Sequence, residues 1–220
     1  MINLSTATMP AKLHRALTLP NFDTEAAQNK MNMSIRKGRR TRPADLPGPV
    51  RVGAVMLLIY PYEGEPHVAY TKRPSSLKDH SGQISFPGGK VEQGEQWLET
   101  ALRETYEEVG VTAEQIEVIG ALTQMYIPPS DFEVHPFVGW CAIRPNFQPN
   151  PDEVETLIEA PLSLLLNPET VKREIWTYNK EKKLTMEVPF YHVFGHKIWG
   201  ATAIMTGEFL ARWRVVAASA

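Results

Sequence analysis

The chain has 220 residues, enough for one large domain or a core with modest extensions but small for two full domains. It is 43% hydrophobic, sufficient for a sizeable core, and its charge is balanced, with 23 Lys+Arg against 25 Asp+Glu for a net of −2. That balance argues against the overall cationic surface that holds duplex nucleic acid non-specifically. The single cysteine, Cys141, has no partner for an intramolecular disulfide and no neighbours at zinc-ligand spacing, so it reads as a small buried apolar residue. No apolar run approaches the ~18 residues that span a bilayer. The N-terminus lacks a charged region followed by an apolar one, and the expectation is a soluble protein of a reducing compartment, most simply the cytoplasm.

In chain order, residues 1–50 are the least core-like part and are expected to form an N-terminal extension that packs on a domain of residues 51–220. Residues 11–18 have helix-compatible spacing, and the basic run at 36–42 (RKGRRTR) precedes Pro43, Pro47 and Pro49, which interrupt any helix. Residues 52–60 (VGAVMLLIY) predict a buried strand, and 67–73 its antiparallel partner. Residues 97–109 are the clearest helix, ended by Gly110 at a C-cap position. Residues 117–126 and 133–143 predict two strands around the proline-rich turn 127–130. A loop at 146–151 leads to a short strand at 154–158 and a short helix at 161–166. Residues 171–178 and 184–191 predict a hairpin turning at 179–183, and 199–216 an apolar-faced helix. Strands broken by a few helices, without regular βα alternation, predict an α+β fold with a mixed sheet.

The most informative segment is 88–111, GGKVEQGEQWLETALRETYEEVGV. At roughly 100° per residue, Glu104, Glu107 and Glu108 share one arc of the helix, while Leu98, Ala101, Leu102, Thr105 and Val109 share another suited to packing on a sheet. Residues 97–110 hold four glutamates and one arginine. Arg103 can bridge Glu99 and Glu107, but Glu104 and Glu108 are like charges at i,i+4 and repel. A divalent cation would reverse that sign, and a cluster of hard oxygen ligands without His or Cys suits Mg²⁺ or Mn²⁺.

Gly89, Glu95, Arg103, Glu104, Glu107, Glu108, Gly110 and Val111 stand at the spacing G-x(5)-E-x(7)-R-E-U-x-E-E-x-G-U. This resembles the Nudix box at every fixed position, with Thr105 where a bulky aliphatic residue is usual. The resemblance implies an α/β/α sandwich with a mixed β-sheet and hydrolysis of a nucleoside diphosphate linked to another group. It further implies Glu104, Glu107 and Glu108 as metal ligands, Arg103 and Glu95 as the pair orienting them, and Gly89 with Gly88 as points of close backbone approach whose carbonyls can ligate. A general base is also required. Glu107, Glu108 and the downstream Glu153 and Glu155 are the candidates.

Upstream, Thr71, Arg73, Gly82, Phe86, Pro87, Gly88 and Gly89 resemble the signature of the coenzyme A pyrophosphatase branch, with Pro74 and Lys78 departing from it. Residues 130–136, 151–154, 160–162 and 198–201 sit where similar segments occur in that branch. The expected substrate is therefore a small molecule, coenzyme A or an acyl derivative, cleaved to 3′,5′-ADP and 4′-phosphopantetheine. Arg73, Lys78, His80, Lys90 and Phe86 are the substrate-binding candidates, and Tyr126, Phe132 and Trp140 are weighed for stacking on adenine. The competing expectations are a Nudix hydrolase of ADP-ribose, NADH or another nucleotide, and a Nudix module without catalysis, which usually lacks box glutamates. The resemblance is also compatible with a homodimer.

Overall fold

The computed structural model describes residues 8–33, 42, 46, 48–75, 82–179 and 184–218. Its centre is an eight-stranded mixed sheet. β1 (Arg51–Tyr62) pairs antiparallel with β2 (Glu65–Lys72) through its second half, Ile59 opposite Val68. The first half of β1 takes the short β4 (Gly88–Lys90) on the same edge, Ala54 opposite Gly89. On its other edge β1 runs parallel to β7 (Phe132–Trp140). β3 (Ile84–Ser85) and β8 (Thr156–Pro161) flank β2, while β5 (Glu117–Ala121) and β6 (Met125–Ile127) flank β7.

The period-2 alternation of β1 builds both layers. Ala54, Met56, Leu58 and Tyr60 join one apolar cluster with Ala101 and Val109 of α3 (Trp97–Val109). Leu57 and Ile59 join another with Phe209, Leu210 and Trp213 of α5 (Gly200–Ala218). A strand covered on both faces reads as the near-continuous apolar run seen in the sequence, and the helix–sheet–helix order is the expected sandwich.

The N-terminal residues supply α1 (Met9–Leu17) and α2 (Thr24–Asn29), which lie against α5. The glue is a buried ion pair. Glu208, fully buried, accepts from Arg212 Nε at 3.0 Å and from Gln28 Nε2 of α2 at 2.8 Å. Arg212 in turn donates to the Leu17 carbonyl at 3.2 Å and to Thr24 Oγ1 at 3.1 Å. The short helix α4 (Leu162–Leu166) precedes a second sheet of β9 (Val171–Asn179), β10 (Leu184–Val193) and β11 (His196–Trp199). β9 and β10 form the predicted hairpin, whose turn at 180–183 lies outside the described residues.

Four departures from the sequence reading have physical causes. The strand predicted over 117–126 is two, β5 and β6, because the facing Pro136 has no N–H to continue a ladder. Thr123, in the break, donates its N–H and hydroxyl to Glu208 Oε1 instead. β7 ends at Trp140 rather than at 143, with Ile143 left 74% exposed. β8 starts later than predicted, because the amides of Glu153 and Val154 turn back onto the Asn150 carbonyl. α5 is buried nearly all round rather than along one face, since α1, α2, the second sheet and the main sheet all cover it. The short elements α2, β3, β4 and β11 carry too few residues for a periodic signal.

Candidate active site

The amphipathic spacing of α3 decides which side of it meets the sheet. Ala101, Thr105 and Val109 are fully buried, and Gly110 takes the left-handed conformation (φ 74°) that ends the helix. At the other end Gln96 and Glu99 form a capping box. Glu99 is thereby engaged at the helix start, and the Glu99–Arg103 bridge expected from sequence is replaced by an Arg103–Glu95 pair.

Arg103 is the hub. Its Nε and Nη2 hold Glu95 at 2.8 and 3.1 Å. Nη1 reaches Glu104 Oε1 at 2.8 Å and Glu107 Oε2 at 2.9 Å, and Nη2 also donates to the Lys90 carbonyl at 3.3 Å. Thr100 Oγ1 adds a 2.6 Å bond to Glu95 Oε2. The guanidinium fork, with this hydroxyl and the Glu92 amide, holds the Glu95 carboxyl down at about 2.

The three box glutamates do not sit alike. Glu108 is 4% exposed, and burial pushes its carboxyl up to about 8, against the pull of a 3.1 Å bond from Thr71 Oγ1. Glu104 is shifted upward too, again by burial, with Arg103 opposing. Glu107 points outward, its side chain 45% exposed against Arg103. The carboxylate that groups with Glu104 and Glu108 is instead Glu153, and one oxygen from each of these three lies within 4.8 Å of the others. The loop carrying Glu153 is tied to the open end of α3, where Gln148 N donates to the Val109 carbonyl and Asn150 N to the Glu108 carbonyl, both at 2.9 Å. Its neighbour Glu155 is turned away onto Lys72 and Ser75, which lower its carboxyl.

A divalent cation fits this arrangement on chemistry and on shape. Three hard oxygens converge, and burial makes two of them, on Glu104 and Glu108, resist ionisation. Gly89 leaves the space open, since a Cβ there would lie 2.3 Å from Glu104 Oε1.

Beside the carboxylates, across Gly89, runs a cleft of about 320 Å³ lined by Arg73, Gly89 and Lys90 and by Phe132, Ala201 and Met205. Arg73 Nε is buried there without a hydrogen-bond partner. Buried polar groups in folded proteins are nearly always satisfied, so an orphaned guanidinium N–H in a cleft marks the place of an absent acceptor. Phe86 borders the cleft but is fully buried and stacked on Tyr70, rings 4.9 Å apart. Of the aromatics weighed for stacking, Phe132 lines the cleft, Tyr126 donates to Asp131 at 3.0 Å, and Trp140 is in the core. Lys78 and His80 lie outside the described residues, as does the basic run except Arg42, which holds Asp131 at 2.8 Å. In the sequence Thr71 has a place in the upstream signature but no partner, and Thr100 and Asn150 have no role. Thr71 reaches Glu108 across 37 residues and Asn150 reaches the end of α3 from a distant loop, and such long-range partners leave no periodic trace.

Residues 50–180 match the NUDIX domain. The chain is 34% identical over 175 residues to Nudix hydrolase 3 of Caenorhabditis elegans, covering 71% of this chain and 71% of that protein. It is 34% identical over 170 residues to the mitochondrial coenzyme A diphosphatase NUDT8 of Homo sapiens, covering 76% and 68%. With NudL of Pectobacterium atrosepticum, an uncharacterized Nudix hydrolase, identity is 42% over 102 residues, 44% of this chain and half of that one. Box, fold and relatives agree, and the chain belongs to the Nudix family as a Nudix pyrophosphohydrolase.

Proposed function

We propose that the chain is a Mg²⁺- or Mn²⁺-dependent hydrolase of the pyrophosphate in coenzyme A or its acyl derivatives, releasing 3′,5′-ADP and 4′-phosphopantetheine or its acyl form. The observation that carries this reading is the pairing of the Glu104–Glu108–Glu153 trio with the unpartnered Arg73 N–H, the two linked by Gly89, which abuts Glu104 and lines the same cleft as Arg73. The first needs a cation and the second an anion. A metal-bound pyrophosphate satisfies both. The upstream signature and the likeness to a coenzyme A diphosphatase direct the substrate assignment within the family.

Glu104, Glu108 and Glu153 would hold the cation, with the Gly89 carbonyl as a further oxygen. When bound, the ion neutralises phosphoryl charge and lowers the pKa of water. Arg73 binds a phosphate oxygen, and Arg103 fixes Glu104 and Glu107 at once. Hydrolysis adds water across a P–O bond: the water oxygen bonds to phosphorus, the bridging oxygen leaves with its electron pair, and one water proton passes to a carboxylate. Glu107, outside the trio and half-exposed beside Arg103, is the base this arrangement favours, since Glu153 would hold the cation and Glu155 is turned away onto Lys72 and Ser75.

Mass spectrometry of products after incubation with coenzyme A, NADH and ADP-ribose tests the assignment. Release of 3′,5′-ADP from coenzyme A supports it. Intact coenzyme A beside consumption of another compound would move the substrate elsewhere in the family and leave the hydrolase intact.

A further inference from the structure

Two hollows share a wall. The cleft lined by Arg73 and Lys90 is lined also by Ile127 and Ala201, and the same two residues bound a smaller recess of about 50 Å³. Met125 and Ile204 line that recess, and Met33, from the N-terminal segment, closes it. Met33 is itself 6% exposed. It is carried there by α2, which the Gln28–Glu208 bond and the Arg212–Thr24 bond fasten to α5.

Charge distinguishes the two hollows. Arg73 and Lys90 line the first, whereas among the described residues lining the recess none carries a charged side chain.

We propose that the recess receives the far end of the substrate's uncharged arm, so that the N-terminal segment, through Met33, selects which arm ends are accepted. This deepens the coenzyme A reading and rests on it. Coenzyme A divides at its pyrophosphate into two unlike halves. One is adenosine with a 3′-phosphate, whose charge is costly to bury without a cation. The other is a chain of methyl, methylene and amide groups ending in a thiol, which carries no charge. Only the second suits a recess whose described lining is uncharged, where Gln28, Asn32 and Tyr126 offer polar groups beside the apolar side chains, and the first stays near Arg73 and Lys90. An acyl group on the thiol would extend the arm along the same path, and its length would be felt by the side chains that close the recess.

The test uses the full chain with Mn²⁺ and two variants of opposite sense. Ile204→Trp fills the recess and Met33→Ala enlarges it; thermal melting checks that each is folded. kcat and KM are measured for free, acetyl-, hexanoyl- and decanoyl-coenzyme A, with 3′,5′-ADP as competing product. Apolar pockets discriminate one methylene by about 10–200-fold, so Ile204→Trp is expected to raise KM by about tenfold or more, most for the longest chain. Met33→Ala is expected to shift preference toward longer chains, and the inhibition constant of 3′,5′-ADP should stay unchanged in both. A structurally damaged enzyme would lose all substrates alike and would not produce opposite shifts. If the variants weaken 3′,5′-ADP instead, the adenosine half occupies the recess and the proposal is overturned. Cleavage of coenzyme A with wild-type chain-length profiles in both folded variants would overturn the arm assignment alone. Failure of the wild type to cleave any coenzyme A compound would overturn the substrate reading, and the arm assignment with it.

Discussion

Thr71, at the end of β2, donates its hydroxyl to Glu108 Oε2 across 3.1 Å, from a strand 37 residues earlier in the chain. The bond favours the charged form of a carboxyl that burial pushes toward neutrality. Thr71→Val keeps the shape and removes the donor. Losing a hydrogen bond to a buried charge is worth about 1–3 kcal/mol, so Mn²⁺ affinity, read by calorimetry at pH 7.5, should fall by about tenfold. Thr71→Ser should restore most of it. Equal affinity in all three proteins would remove Thr71 from the site.

Arg103 holds Glu95, Glu104 and Glu107 together. Lysine keeps the charge but not the fork. Groups that orient metal-binding side chains typically cost about 10–100-fold when changed. Arg103→Lys is therefore expected to lower kcat within that range while the fold survives by circular dichroism. A wild-type kcat would show that the charge alone suffices.

Glu153 and Glu155 are two residues apart and face different partners, the trio in one case and Lys72 in the other. Substitution by glutamine separates them. Glu153→Gln should lose about tenfold or more in metal affinity, whereas exposed ion pairs contribute about 0–1 kcal/mol and Glu155→Gln should stay close to wild type. The reverse ranking would reassign the downstream carboxylate.

Stability without metal should depend on pH in two opposite ways. Glu108 keeps its proton up to about 8 in the folded chain, against 4.5 for an ordinary glutamate. Between those values the folded state binds the extra proton, so stability falls as pH rises. Glu108→Gln should flatten that decline and raise the melting temperature of the metal-free protein at pH 8, even as activity is lost. Glu95 acts the other way. Its carboxyl is lowered to about 2 from 4.5, so its contribution is complete above pH 4.5 and disappears as pH falls through 2. Glu95→Gln should abolish that acid-side dependence. Melting curves of the metal-free wild type that rise from pH 5 to pH 8 would contradict the burial of Glu108.

The N-terminal helices are fastened by the Glu208–Arg212 pair, with Glu208 fully buried. Removing one partner of a buried pair costs about 3–5 kcal/mol, because the other is left uncompensated. Arg212→Ala should lose that much in urea unfolding. A loss below about 1 kcal/mol would mean the staple is dispensable.

How much of this was legible beforehand varied with the range of the forces involved. Local periodicity announced β1 and α3, because alternation and the i,i+3/i+4 spacing are written in neighbouring residues, and Gly110 marked the helix end as a C-cap should. The break between β5 and β6 was hidden, since its cause, Pro136, lies on the facing strand. The box glutamates were visible as a set, but their division was not. Helical angle alone places Glu107 beside Glu108, whereas Arg103 draws Glu107 outward and the Asn150 turn brings Glu153 in. Glu153 was identified only as a candidate base, because which loop returns to a helix end is decided by tertiary hydrogen bonds. Arg73 carried the substrate signature, but its orphaned N–H is a property of the folded cleft.

The central claim is that Glu104, Glu108 and Glu153 together hold a divalent cation beside the cleft, across Gly89. Anomalous diffraction from crystals soaked in Mn²⁺ tests it most directly. The account predicts a manganese peak among those three carboxylates and its disappearance in Glu108→Gln. A peak bound by Glu107 without Glu153, or no peak at this end of α3, would contradict it.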